Sequence, residues 1–155
     1  MTGVMEEGAA IPAVEVTLAD GTRVALAELP LPAVIYFYPK DDTSGCTREA
    51  QDFSALGEEF AAAGVSVMGI SRDTPASHAK FATKHALSVT LGSDEDGSAC
   101  EAFGVWGEKQ MYGRTYMGIE RATFLFGTDG RLARAWRKVK VPGHAAAVLE
   151  AARGL

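Results

Sequence analysis

Between Ala33 and Ala63 the chain passes from a strand pattern to a helix pattern around one cysteine. Ala33–Tyr38 is an unbroken apolar, β-prone run, the signature of a central strand buried on both faces. Pro39 ends the run, and the polar turn Lys40-Asp41-Asp42-Thr43-Ser44 follows. From Gly45 to Ala63 the residues Ala50, Phe53, Leu56 and Phe60 recur at helical spacing. Cys46 lies one turn before Ala50 on the same stripe, so its thiol is expected to face the sheet edge and not open water. A helix start presents unpaired N–H groups and positive partial charge. Both favour the thiolate, the nucleophilic form of cysteine. A free cysteine also packs as a small apolar side chain, but the polar strand-to-helix junction argues here for a reactive one.

The remaining pattern completes a fold. Ala13–Leu29 reads as a hairpin turning at Asp20-Gly21. Val65–Ser71 is a second buried strand. A helix capped by Asp73 or Thr74, with Pro75 at its first position, runs to about Ala86. Leu87–Leu91 reads as a short strand, Gly97–Phe103 as a short helix, and Gly104–Gly118, with four glycines and few aliphatics, as a loop. Ala122–Phe126 and Leu132–Val139 flank Thr128-Asp129-Gly130 as a second hairpin, and Gly143–Ala152 closes the chain as a helix. This order predicts a single α/β domain over 1–155, a thioredoxin-like fold with a mixed central sheet, helices on both faces and an N-terminal β-hairpin.

Composition narrows the function. A formal net charge of -5 argues against nucleic acid or an anionic membrane as partner. The first residues lack the basic and apolar regions of a signal peptide, and no apolar run approaches the ~20 residues of a membrane span. A cytoplasmic protein is expected. With Cys46 and Cys100 as its two cysteines, the chain has no disulfide scaffold and no Cys-x-x-Cys. His78 and His85 read as surface histidines, not a metal site. No metal and no cofactor are expected. Arg131, Arg134, Arg137, Lys138 and Lys140 read as a basic stretch protecting a sheet edge.

The spacing Pro39-x-x-x-Thr43-x-x-Cys46 resembles the active-site signature of the peroxiredoxins. The string from Tyr38 to Glu49 is similar to that of the peroxiredoxin Q, or bacterioferritin comigratory protein, subfamily. The likeness continues in Gly69-Ile-Ser-Arg-Asp-Thr, Ser77-His-Ala-Lys-Phe, Phe103-Gly-Val-Trp-Gly-Glu-Lys and Gly118-Ile-Glu-Arg-Ala-Thr-Phe. The resemblance implies a thiol peroxidase acting on hydrogen peroxide and organic hydroperoxides, with Cys46 as peroxidatic nucleophile passing through a sulfenic acid. It implies that Thr43 directs its hydroxyl at thiolate and peroxide, and that main-chain N–H groups near Gly45 and Cys46 bind peroxide oxygens. It also implies that Arg121 lies over the thiolate, that Pro39 shields it from water and that Glu49 orients Arg121. These groups have work to do beyond ionising the thiol. A free thiol is a few per cent ionised at neutral pH, so full ionisation gains only about 30-fold. The rest of the acceleration must come from stabilising charge as the O–O bond breaks. Asp41 and Asp42 oppose the thiolate unless they point away.

Two departures from the subfamily bear on turnover. Its resolving cysteine sits either at the position of Gln51 or at that of Ala82, and neither is cysteine here. Ser44 stands where the subfamily usually has proline. Cys100 reads as structural in a short helix, or alternatively as an atypical resolver in a two-cysteine enzyme. The favoured reading is a one-cysteine cycle completed by an external thiol: thioredoxin, glutaredoxin or glutathione. A non-enzymatic thiol redox sensor is the other alternative. A monomer or weak dimer is expected.

Overall fold

The computed structural model describes residues 5–155. The strands are β1 (Glu15–Leu18), β2 (Arg23–Ala25), β3 (Ala33–Phe37), β4 (Ser66–Ser71), β5 (Thr90–Ser93), β6 (Trp106–Met111), β7 (Arg114–Ile119), β8 (Ala122–Phe126) and β9 (Leu132–Trp136). The helices are α1 (Ser44–Ala55), α2 (Gly57–Ala62), α3 (Pro75–His85), α4 (Ser98–Ala102) and α5 (His144–Arg153). Among the described residues, seven strands form one mixed sheet in the order β2-β1-β5-β4-β3-β8-β9. β4 pairs in parallel with β3 and β5, while β8 runs antiparallel to β3. The α/β thioredoxin-like architecture predicted from the element order is thus present, with β1 and β2 as the expected N-terminal strand pair.

The sheet divides the interior into two layers, because successive strand side chains point to opposite faces. From β3, Val34 and Tyr36 enter one layer with Tyr38, Cys46, Phe53, Phe60 and Phe81. Ile35 and Phe37 enter the other with Cys100, Phe103, Phe124 and Phe126. Helices α1, α2, α3 and α5 pack in the first layer, and α4 lies in the second. All five residues of β3 and of β8 are buried, as a continuous apolar run requires of a central strand. Gly69, opposite Tyr36 in the β3–β4 register, leaves room for the Tyr36 ring. A Cβ there would lie 2.4 Å from that ring.

Several expectations need correction. The helix read over Gly45–Ala63 is two helices, broken at Leu56 before Gly57. The strand expected at Leu87–Leu91 begins at Thr90. Ala86 is left-handed, Leu87 N–H turns back to Ala82, and the Ser88 and Val89 N–H groups donate to Ser54 Oγ. Those donors are therefore unavailable to the sheet. The loop read over Gly104–Gly118 contains the antiparallel ribbon β6–β7, turning at Tyr112-Gly113 with φ 52° and 77°. Its strands are rich in Glu, Lys, Gln, Arg and Thr and β7 is mostly exposed, so no apolar alternation marks them. The expected edge is where the basic residues suggested: β9 borders the sheet, and the Arg134 guanidinium stacks 4.6 Å above the Trp136 ring.

Candidate active site

The strand-to-helix junction delivers Cys46 to the third residue of α1. The first main-chain bond of that helix runs from Thr47 N–H to the Thr43 carbonyl. The N–H groups of Gly45 and Cys46 precede it and keep no partner within the helix. Cys46 is 1% exposed and lies in the layer of Tyr36 and Phe53. Arg121, in the short link between β7 and β8, reaches it from across the fold. Its Nη2 donates to Cys46 Sγ at 3.3 Å and its Nη1 to Glu49 Oε1 at 2.6 Å. Glu49 stands one turn after the cysteine on α1, so one helix face presents both the thiol and the carboxylate that fixes its cation.

Burial pushes Glu49 up to about 7, with Arg121 pulling it back down. Its second oxygen, Oε2, is buried without a partner. Burial works against the charge of Arg121, but Glu49 and Cys46 outweigh it and raise the guanidinium above its ordinary value. Gly45 makes the approach possible: a Cβ at this position would sit 3.2 Å from Arg121 Nη2. Pro39, half-buried, follows Tyr38 at the end of the strand. Thr43 occupies the N-cap position without a side-chain cap, and its hydroxyl donates to the Lys40 carbonyl at 2.9 Å, not to Cys46 as the resemblance implied. The fold therefore gathers Cys46, Gly45, Glu49 and Arg121 in direct contact, with Thr43 in the exposed loop just before them.

The chain matches the AhpC/TSA family model over residues 8–135. The chain belongs to that family, and within it to the Bcp or peroxiredoxin Q group. The peroxiredoxin Bcp of Xanthomonas campestris is 49% identical over 149 residues, covering 96% of this chain and 93% of that protein. The peroxiredoxin Bcp of Escherichia coli K12 is 44% identical over 84% of each chain. A solved structure of the X. campestris bacterioferritin comigratory protein, described in terms of alkyl peroxide reduction, matches with a TM-score of 0.88, 47% identity and 97% of both chains. BcpB of Mycobacterium tuberculosis matches at 0.85 and 32% identity over 97% of this chain and 98% of its own.

The peroxiredoxin's active-site loop is moored to α3 by groups that sequence reasoning missed. His78 is fully buried, which overturns its reading as a surface residue. Its Nδ1 meets Asp41 Oδ2 at 2.7 Å and its Nε2 meets the Gly92 carbonyl at 3.0 Å. Tyr38 and Ser77 hydroxyls also donate to Asp41, and Asp41 N–H donates to Asp73. Burial raises Asp41, but these bonds, His78 first, hold its carboxyl below the usual range. Asp42, with a left-handed φ of 59°, pairs with Lys84 at 2.6 Å and His85 at 2.8 Å. Both carboxylates are thus engaged with α3 and turned away from the thiol. The matched Ser77-His78 landmark was the available signal. Asp41, Asp73 and His78 bring ligand atoms within 4.8 Å of one another, yet all three are already engaged in hydrogen bonds, so the cluster reads as a structural knot.

Cys100 lies in α4, fully buried in the opposite layer, with its N–H donating to Asp94 Oδ2 at 2.9 Å. Burial and then Asp94 push its thiol far above the ordinary range. His144, bonded to Thr123 Oγ1 at 2.7 Å, is pushed down to about 4 by burial and then Arg121, so it stands neutral behind the site. Among the described residues, no helix is long and apolar enough to cross a membrane.

Proposed function

We propose that this peroxiredoxin reduces hydrogen peroxide and small organic hydroperoxides through a sulfenic acid at Cys46. The observation that carries the reading is the 3.3 Å contact of Arg121 Nη2 with Cys46 Sγ, made on a guanidinium that Glu49 holds from its other side. A thiolate attacks the terminal peroxide oxygen, forming the S–O bond as the O–O bond breaks. The leaving oxygen departs as an alcohol or water after taking a proton from solvent. Arg121 and the free N–H groups of Gly45 and Cys46 face the negative charge that builds on the peroxide oxygens. Thr43 reaches the peroxide oxygens once its hydroxyl turns from the Lys40 carbonyl, and Pro39 limits water at the thiolate. The alkyl peroxide reduction described for the X. campestris relative agrees with this chemistry.

The cycle is proposed to use one cysteine. Gln51 and Ala82 supply no thiol, and Cys100 belongs to the other side of the sheet. An external thiol, of the thioredoxin, glutaredoxin or glutathione kind, then reduces the sulfenic acid. Stopped-flow kinetics with hydrogen peroxide test the assignment. Cys46→Ser should abolish peroxide consumption, and a variant still reacting at the wild-type rate would remove Cys46 from the chemistry.

A further inference from the structure

A groove of about 500 Å³ runs between the active-site loop and the β6–β7 ribbon, with Pro39 on its wall. Three cations line it, Lys40, Arg72 and Lys109, together with one carboxylate, Glu95. Its apolar surface comes chiefly from Trp106, Met117 and Ile119. None of the three cations has a carboxylate partner among the described residues. Arg72 stacks 4.6 Å above the Trp106 ring and donates to the main-chain oxygen of Glu95. Lys109 donates to the Ile119 carbonyl. Three unpaired cations meeting in one groove run against the net charge of -5 of the whole chain. The groove also borders the chemistry. Pro39 in its wall ends the strand that leads to the Cys46 loop, and Ile119 in its lining stands two residues before Arg121, which donates to Cys46 Sγ.

We propose that this groove seats a thiol peptide carrying two carboxylates and one ammonium group, the chemistry of glutathione, and holds its thiol against the Cys46 sulfenic acid. The inference rests on the one-cysteine peroxidase reading, which leaves that acid without a partner in the chain. The cations match the two carboxylates, Glu95 matches the ammonium, and the Trp106 side carries the aliphatic body. A carboxylate-bearing hydroperoxide would satisfy the cations but leave Glu95 facing no positive group. In the reaction the thiol sulfur bonds to Cys46 Sγ as the S–OH bond breaks, and hydroxide leaves with the thiol proton as water. A second thiol then displaces Cys46 as a free thiol and leaves as the peptide disulfide. The two thiols supply the two electrons taken up by the peroxide.

The test forms the sulfenic acid with one equivalent of hydrogen peroxide, verifies it by mass, and follows its consumption by glutathione and by neutral 2-mercaptoethanol. In the Lys40→Gln/Arg72→Gln double variant the glutathione rate should fall about tenfold, the scale of two exposed ion pairs. The 2-mercaptoethanol rate should fall less than about twofold, and added salt should erode the wild-type preference for glutathione. Glu95→Gln should slow glutathione more than 3-mercaptopropionate, which has no ammonium. Equal losses with both thiols in the double variant, or no loss with either, would overturn the inference while leaving the peroxidase intact. So would a loss confined to sulfenic acid formation by a carboxylate-bearing hydroperoxide, which would make the groove a substrate site. Failure of the wild-type protein to form the sulfenic acid would sink the peroxidase reading itself.

Discussion

Cys46 and Cys100 lie on opposite faces of the central sheet, one in the layer of Tyr36 and Phe53, the other in the layer of Phe37 and Phe103. A disulfide needs Cα atoms within about 7 Å, and the sheet stands between these two thiols. Peroxide-treated protein should therefore carry a sulfenic or sulfinic acid at Cys46, or a mixed disulfide when a small thiol is present, with Cys100 unmodified. Mass spectrometry of the digested protein decides it, and a Cys46–Cys100 cross-link would refute the one-cysteine cycle. Without thiol, excess peroxide should drive Cys46 on to the irreversible acids.

Arg121→Ala should lower kcat/KM for hydrogen peroxide by about 2–4 kcal/mol of transition-state stabilisation, the scale of losing one oxyanion donor. Thr43→Val should cost a similar amount, because its hydroxyl must leave the Lys40 carbonyl for the peroxide during the reaction. Steady-state rates at saturating reductant measure both, and an unchanged value in either variant would exclude that residue from the mechanism.

Gly45→Ala separates packing from stability. An added methyl 3.2 Å from Arg121 Nη2 must displace the guanidinium. A small misplacement of a positioned group costs about tenfold or more in rate. Alanine is the better helix former by up to about 1 kcal/mol, so the melting temperature should not fall. A variant that melts lower while keeping its rate would mean that the close approach is unimportant.

Glu49 gives the protein a pH signature. Its folded value, about 7, lies above its ordinary value of 4.5, so the folded state binds the extra proton between these limits. The stability associated with that proton is fully present below about 4.5 and is lost as pH rises through 7. Urea titrations across this window should show Glu49→Gln gaining on the wild type as pH rises. A difference that stays flat from pH 4.5 to 7.5 would show that Arg121 keeps Glu49 ionised throughout.

His78→Phe should destabilise the protein by about 1–3 kcal/mol, because it takes the His78 hydrogen bonds from the buried Asp41 carboxylate and the Gly92 carbonyl while Tyr38 and Ser77 still donate to Asp41. The same variant should slow peroxide reduction, since Asp41 belongs to the loop that carries Thr43. Denaturation midpoints and stopped-flow rates together check it. Full stability in the variant would contradict the role of the knot.

The central strand, the turn at Pro39, the start of α1 at Ser44 and the Thr74-Pro75 entry to α3 are written in short windows of sequence. Each depends on near-neighbour patterning or capping that a few residues determine. The ribbon β6–β7 was not legible, because exposed polar strands stabilised by their own turn carry no apolar period. His78 was not legible either. A histidine on an otherwise polar helix looks solvated until the Asp41 loop and the Gly92 carbonyl are folded onto it.

By itself, the sequence determined that a cysteine sits at the first turn of a helix following a buried strand, with no resolving thiol at the positions of Gln51 and Ala82. Helix geometry alone then set the free N–H groups beside that thiol. Only the tertiary structure decided what faces the sulfur and what cannot reach it. Arg121 arrives from the far side of the chain because β8 pairs with β3. It comes close because Gly45 has no side chain and Glu49 pulls the guanidinium down. Cys100 is held apart because strand side chains alternate between faces, and its residue number says nothing about which face its helix covers.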